Sequence, residues 1–216
     1  MTIQANTTPE AALKRLFEGN ERFVSGRPNH GENIDEKRRL EVAKGQRPFA
    51  AVVACADSRV APEHIFDAGL GELFVCRNAG NLADDDVVGS LEYAATRCDC
   101  SLLCVIGHTG CGAATAAVEV EGYPGLSETP CIASIVQGLS QAVSDVQGGG
   151  AEGAALVDAA ARANVCRQVD EIMNRSQVIT EAVEDGRLGL VGLWYDLVSG
   201  RVTTIVSLLA GAEDAM

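Results

Sequence analysis

The chain has 216 residues, 22% of them charged, and a formal net charge of −13 at neutral pH. Such acidity speaks against a phosphate-binding surface, and so against nucleic acid as a partner; the lack of any run of about 18 apolar residues speaks against a membrane span. Eight cysteines occur without a secretory leader pattern, so a cytoplasmic location is expected, where thiols stay reduced and act as core filler, metal ligands or catalysts.

Thr7, Thr8 and Pro9 read as a helix start, with a threonine cap and proline in the first turn. Ala12, Leu13, Leu16, Phe17 and Phe23 follow at helical spacing, and the helix ends near Ser25-Gly26. A second, charged helix spans residues 34–43. Residues 49–54 are continuously apolar and partly β-branched, which suits a strand buried on both faces of a parallel sheet. Residues 72–76 and 101–106 read as further strands, with a helix over 84–97 between them. Helical pattern resumes after Cys111, breaks over 122–130, and returns over 132–147, 154–174 and 176–184. Residues 188–208 read as two strands joined by a Ser199-Gly200 turn. The order strand, helix, strand predicts an α/β fold: a mainly parallel β-sheet of about four to five strands, flanked by helices. One domain over 1–216 is expected, with residues 1–45 as an N-terminal helical arm and 46–216 as the core.

Two segments carry chemistry: Cys55-Ala56-Asp57-Ser58-Arg59 and His108-Thr109-Gly110-Cys111. Each directly follows an apolar strand, and ligands of open α/β sheets bind beyond the carboxyl ends of strands. Cys111 falls at an expected helix N-terminus, whose dipole favours thiolate. Cys55, His108 and Cys111 thus offer zinc three suitable ligands, and a shell without a fourth protein ligand marks a catalytic rather than a structural site. Asp57 can accept a hydrogen bond from a water or hydroxide on the metal, and Arg59 can hold Asp57 in a charge-assisted pair. Core filler is the competing reading for a cysteine after a strand, and it is preferred for Cys76, Cys104, Cys131 and Cys166. Cys98-x-Cys100 is a weak metal or redox signal, and His30 and His64 are single histidines read as surface or outer-shell groups. Asp57–Arg59 could equally be a plain ion pair.

The two segments together resemble the β-class carbonic anhydrases, whose signature pairs C-x-D-x-R with H-x-x-C. The likeness extends through RLFEGNERFVSG, KGQRP, the stretch from Cys55 to Asn81, GSLEYAA and LVGLWYDLVSGRV, in the family's order. The resemblance implies one Zn2+ per subunit on Cys55, His108 and Cys111, with Asp57 and Arg59 as the catalytic dyad. It implies reversible hydration of CO2 to bicarbonate and a proton, by a zinc-bound hydroxide that the dyad orients. Zinc brings its water to a pKa of about 7, a magnitude known from carbonic anhydrases themselves and not read from this chain. Gln46 matches a glutamine usually supplied by the partner subunit, Phe74 and Tyr93 match apolar pocket residues, and Gly112 matches a backbone contact beside the metal. The resemblance also implies a dimer or higher assembly (tetramer, octamer), with the N-terminal arm packing on a partner subunit.

Three departures bear on the site. Ala56 and Ala79 stand where the family often has serine and a larger aliphatic residue. Val52 stands where one subgroup has a tryptophan that helps an arginine and a tyrosine, matched here by Arg77 and Tyr195, to bind regulatory bicarbonate. Without that tryptophan the resting state expected is water on zinc and Asp57 on Arg59, with Asp57 as a conditional fourth ligand only in a closed, low-pH state. Hydrolysis of carbonyl sulfide or carbon disulfide, and a structural zinc or bicarbonate-binding role, are the competing functions.

Overall fold

A computed structural model describes residues 7–29, 34–122 and 129–209. His30 lies outside them. The five strands are β1 (Ala50–Cys55), β2 (Leu73–Asn78), β3 (Leu102–His108), β4 (Gly189–Tyr195) and β5 (Val202–Ser207). They form one sheet in the order β2-β1-β3-β4-β5, parallel except for β5. β1, β3 and β4 are buried along their whole length, as their unbroken apolar runs require.

Because strand side chains alternate, each interior strand feeds two cores. Ala51, Val53, Leu103, Val105 and Leu190 meet α4 (Asp85–Arg97), α7 (Gly153–Arg175) and α8 (Gln177–Glu184) on one face. Ala50, Val52, Ala54, Cys104, Ile106 and Leu193 meet α1 (Pro9–Val24) and the four-residue α3 (Pro62–Ile65) on the other. A third cluster, built from α5 (Gly112–Gly122), α6 (Pro130–Val146) and α7, closes over the carboxyl ends of the strands and contains Cys55, Cys111 and Trp194. All eight cysteines are free thiols. Burial pushes Cys100 up to about 12 and Cys104 well above the usual thiol range, which marks both as core.

Helix α1 begins as its sequence dictates: the Thr8 hydroxyl accepts the Ala11 N–H at 3.2 Å, ahead of Pro9. It lays Ala12, Leu16 and Gly19 on its own chain's sheet. Asn20, 3% exposed, donates Nδ2 to the carbonyls of Ile65 (3.2 Å) and Gly200 (2.8 Å), and its Oδ1 accepts from Val202 N (2.9 Å). α1 therefore spends its apolar face at home. Of the two helices described in the segment expected to form an arm on a partner, α2 (Glu36–Val42) buries no residue, and it leaves Leu40 64% exposed.

Gly19 is required for that docking. A Cβ there would lie 1.9 Å from the Phe66 carbonyl oxygen, which is backbone and cannot swing aside. Overpacking costs about 1–3 kcal/mol, and alanine returns at most ~1 kcal/mol through helix propensity. Gly19→Ala is expected to lower stability by about 2 kcal/mol, read as a lower urea midpoint at unchanged slope. An unshifted midpoint would mean that α1 is not held as described.

Candidate metal centre

The chain leaves β1 toward β2 on one side, then returns past β1 to place β3 on the other. The sheet's switch point is therefore the crevice between β1 and β3, where α/β sheets bind ligands. Cys55 is the last residue of β1 and His108 the last of β3. The register sets Ala54 beside Ile106, so the two ligands leave the sheet at nearly the same level. Cys111 follows across a tight turn at Gly110 (φ +61°), directly before α5.

All three side chains are buried, and their ligand atoms lie within 4.8 Å of one another. A tetrahedral zinc with ~2.3 Å bonds to sulfur needs ligand atoms about 3.5–3.8 Å apart, which lies within that span. The histidine shows the fit best. Its Nδ1 lies 3.0 Å from the Thr109 carbonyl oxygen. A carbonyl only accepts, so Nδ1 carries the proton and Nε2 presents a lone pair. That Nε2 is fully buried and has no hydrogen-bond partner, a costly arrangement unless a cation sits there.

A hydrogen bond from Cys111 holds the Cys55 thiol far below its usual range, helped by His108 and by Gly80 N, whose N–H points at Cys55 Sγ from 3.5 Å. Cys111 is pushed up, by its bond to Cys55 and then by burial; the N–H groups of Ala113 and Ala114 at the start of α5 pull only weakly the other way.

Asp57 stands just past β1, 15% exposed at its side chain, and Arg59 grips it. Arg59 donates Nε to Oδ1 at 2.9 Å and a guanidinium NH2 to Oδ2 at 2.6 Å, and its own backbone N–H donates to Oδ1 at 2.9 Å. Those bonds hold the carboxyl well below the usual carboxylate range. Arg59 also reaches the Gly110 carbonyl at 3.3 Å, and Gly110 N donates to Asp158 Oδ1 at 2.8 Å, which ties the dyad to the His108–Cys111 turn and to α7. Arg77 donates to the carbonyls of Cys55 (3.0 Å) and Asp57 (2.7 Å), bracing the backbone of the first motif. Val52 sits in the middle of β1 and Tyr195 ends β4, both buried.

Gly112 is the first residue of α5, beside Cys111. Gln46, Phe74 and Tyr93 are not brought to the metal ligands within one chain. Gln46 is exposed between α2 and β1. Phe74 lies on the edge strand β2, four residues before Asn78, which is the register partner of Cys55, and so roughly 13 Å back along the strand. Tyr93, 54% exposed on α4, lies against Phe74 with ring centroids 6.3 Å apart. Ala79 lines a cavity of about 430 Å³ together with Leu82, Gln141 and Arg167. The roles of Gly80 and Asp158 carry no sequence signal of their own, because both act through backbone geometry that only the fold creates.

The chain as a whole is similar to known proteins. A family model described as "Carbonic anhydrase" matches residues 50–202. The chain is 42% identical to "Carbonic anhydrase 2" of Mycobacterium tuberculosis over 198 residues, which cover 91% of this chain and 92% of that protein. It is 38% identical to a carbonic anhydrase of Mycolicibacterium smegmatis, covering 91% and 93%. Among solved structures it superposes on a Coccomyxa β-carbonic anhydrase in complex with acetazolamide, with a TM-score of 0.65 and 25% identity, covering 91% of this chain and 80% of that one.

Proposed function

The chain belongs to the β-class carbonic anhydrases, zinc enzymes that reversibly hydrate CO2 to bicarbonate and a proton, and from that premise we propose how its own residues carry the reaction. Cys55, His108 and Cys111 hold the ion, and the observation that carries this reading is the buried, unpartnered Nε2 of His108 facing two cysteine sulfurs. When bound, zinc supplies a Lewis acid that makes a hydroxide nucleophile available near neutral pH. Asp57 holds the nucleophile's proton, and the atom can be named by counting lone pairs. Oδ1 already accepts from Arg59 N and Nε, whereas Oδ2 accepts only from the guanidinium NH2. A carboxylate oxygen has two lone-pair sites, so Oδ2 keeps one for this bond. With its proton so engaged, the nucleophile turns its remaining lone pair toward the carbon of CO2. Arg59 keeps Asp57 charged, oriented and off the metal, which favours the open form at neutral pH over the closed form with Asp57 as fourth ligand. Removing zinc with a chelator should abolish CO2 hydration in a stopped-flow pH-indicator assay, and restoring zinc should return it. A zinc-loaded protein inactive between about pH 7 and 9, where hydroxide is available, would overturn the reading.

A second copy of the chain completes the pocket. Phe74 lies on the edge strand β2 with Tyr93 against it, and α2, held to the segment before β2 by Arg38 Nε on the Leu70 carbonyl, exposes Leu40. Self-association there, as a dimer or higher, brings Gln46, Phe74 and Tyr93 toward the partner's metal together with CO2 or bicarbonate. The double variant Leu40→Asp, Tyr93→Glu is expected to sediment as a monomer and to lose at least ~10-fold in kcat/KM while keeping its zinc, about the share that a substrate-positioning contact supplies. A fully active monomer would refute this part. No helix among the described residues is long and apolar enough to cross a membrane. Free thiols throughout suit a cytoplasmic location. We assign residues 1–45 as the segment serving assembly and 46–216 as the catalytic core of a single domain.

A further inference from the structure

Helix α7 carries two polar side chains that the reaction does not use. Asn164 (1% exposed) and Gln168 (5% exposed) are four residues apart, so they share one face of the helix. That face is turned to the segment after β2, residues 78–83. Asn164 Nδ2 donates to the Gly80 carbonyl at 2.9 Å. Gln168 Nε2 donates to Asn164 Oδ1 at 2.9 Å, and Gln168 Oε1 accepts the Ala83 N–H at 2.7 Å. The segment is pinned from its other end by Asn78, which exchanges hydrogen bonds with both the N–H and the carbonyl of Leu82 at 2.8 Å. Between the two clamps, Gly80 sits at φ +81° with its N–H on Cys55 Sγ. A Cβ there would meet Leu139 Cδ1 at 2.9 Å and Ala113 Cβ at 3.3 Å, so another residue would make Leu139 shift and would also strain a backbone that only glycine adopts readily.

We propose that Asn164 and Gln168 are positioning residues for the metal centre: they hold the Gly80 amide against the sulfur of Cys55 and so set that ligand's donor strength and its grip on zinc. Ordering buried amides costs free energy, and an apolar pair would fill the same volume. What the amides add is direction, because two carbonyl or N–H groups of one short segment are fixed from a helix more than 80 residues away. An N–H bond to a thiolate withdraws some charge from the sulfur but also fixes its place; without it the sulfur is free to shift out of line with the other two ligands, and that loss of position is what loosens the grip.

This inference rests on Cys55 being a zinc ligand. The test therefore starts from the zinc-loaded wild-type protein and measures zinc release to a chelator, together with the sulfur-to-metal charge-transfer band after cobalt substitution. Asn164→Leu removes the bond to Gly80 and should speed zinc release about 10–100-fold, the usual cost of losing an outer-shell partner, with a shifted cobalt band. Gln168→Met should do the same to a smaller degree, and Gln168→Glu, which keeps the acceptor for Ala83 N, should recover part of the loss. Val169→Ala is the control: it opens a cavity on the same helix, where Val169 faces Gly192 of β4, and takes away none of the hydrogen bonds to residues 78–83, so it should leave release within about twofold. Release at the wild-type rate from folded Asn164→Leu, equal acceleration by Val169→Ala, or failure of both Asn164→Leu and Gln168→Met to fold would each overturn the proposal in favour of a purely structural role. A wild-type protein that holds no zinc would instead overturn the assignment of Cys55 itself.

Discussion

Replacing His108 by alanine is expected to strip the protein of zinc and bring CO2 hydration down to the uncatalysed rate. The side chain is fully buried, its Nδ1 is committed to the Thr109 carbonyl, and its Nε2 has no partner but a metal. Its removal takes one of the three grouped ligands and leaves only the two thiols. The loss should exceed the ~10–100-fold that removal of an outer-shell group costs in metal affinity. Because structural order and metal binding are linked, the variant should also melt lower than the loaded wild type and at the same temperature with or without added zinc. Metal content after dialysis, and melting with and without zinc, are the measurements. Retention of stoichiometric zinc by His108→Ala would remove this residue from the ligand set.

Asp57→Asn is expected to keep the zinc and lose the chemistry. The substitution preserves shape but replaces one carboxylate oxygen by an amide, so either the Arg59 fork or the acceptor for the nucleophile's proton is lost. A positioned proton acceptor contributes roughly 10²–10⁴-fold, and kcat/KM for CO2 should fall into that range at unchanged metal content. Arg59→Leu should also lower kcat/KM, since Asp57 then loses the side-chain bonds that orient it and keep it off the metal. Full activity in Asp57→Asn would reduce the Asp57–Arg59 contact to an ordinary ion pair.

Much of this site was legible in the sequence because it is local. The Cys55-to-Arg59 and His108-to-Cys111 segments each hold their own partners within four residues, and an apolar run before each declares a strand. The apolar pattern nevertheless ended those strands too early, at Ala54, Cys76 and Ile106, whereas they run to Cys55, Asn78 and His108. The reason is physical: the last strand residues face the crevice and are polar or metal-binding because they serve the site, so a pattern of burial stops where the chemistry begins. The four-residue α3 was missed because one helical turn has no periodicity to read. The contributions of Gly80, Asn164, Gln168 and Asp158 depend on contacts across 25 to 85 residues, and no spacing rule reaches that far. Gln46, Phe74 and Tyr93 were legible only through family likeness, since a single chain does not gather them.

The three bonds of Asn20 have a bearing on how the chain is made. Two of them join α1 to residues 180 and 182 positions later. At ribosomal speeds of ~5–20 residues per second, α1 waits roughly 10–40 s after leaving the tunnel before its last partners exist. Throughout that interval Ala12, Leu16 and Phe17 have no finished sheet to cover. The fold closes late: the β4–β5 hairpin and α1 lock together only after some 180 further residues have been made. Refolding should carry the same signature, a slow phase set by long-range pairing, in a helix made long before its partners.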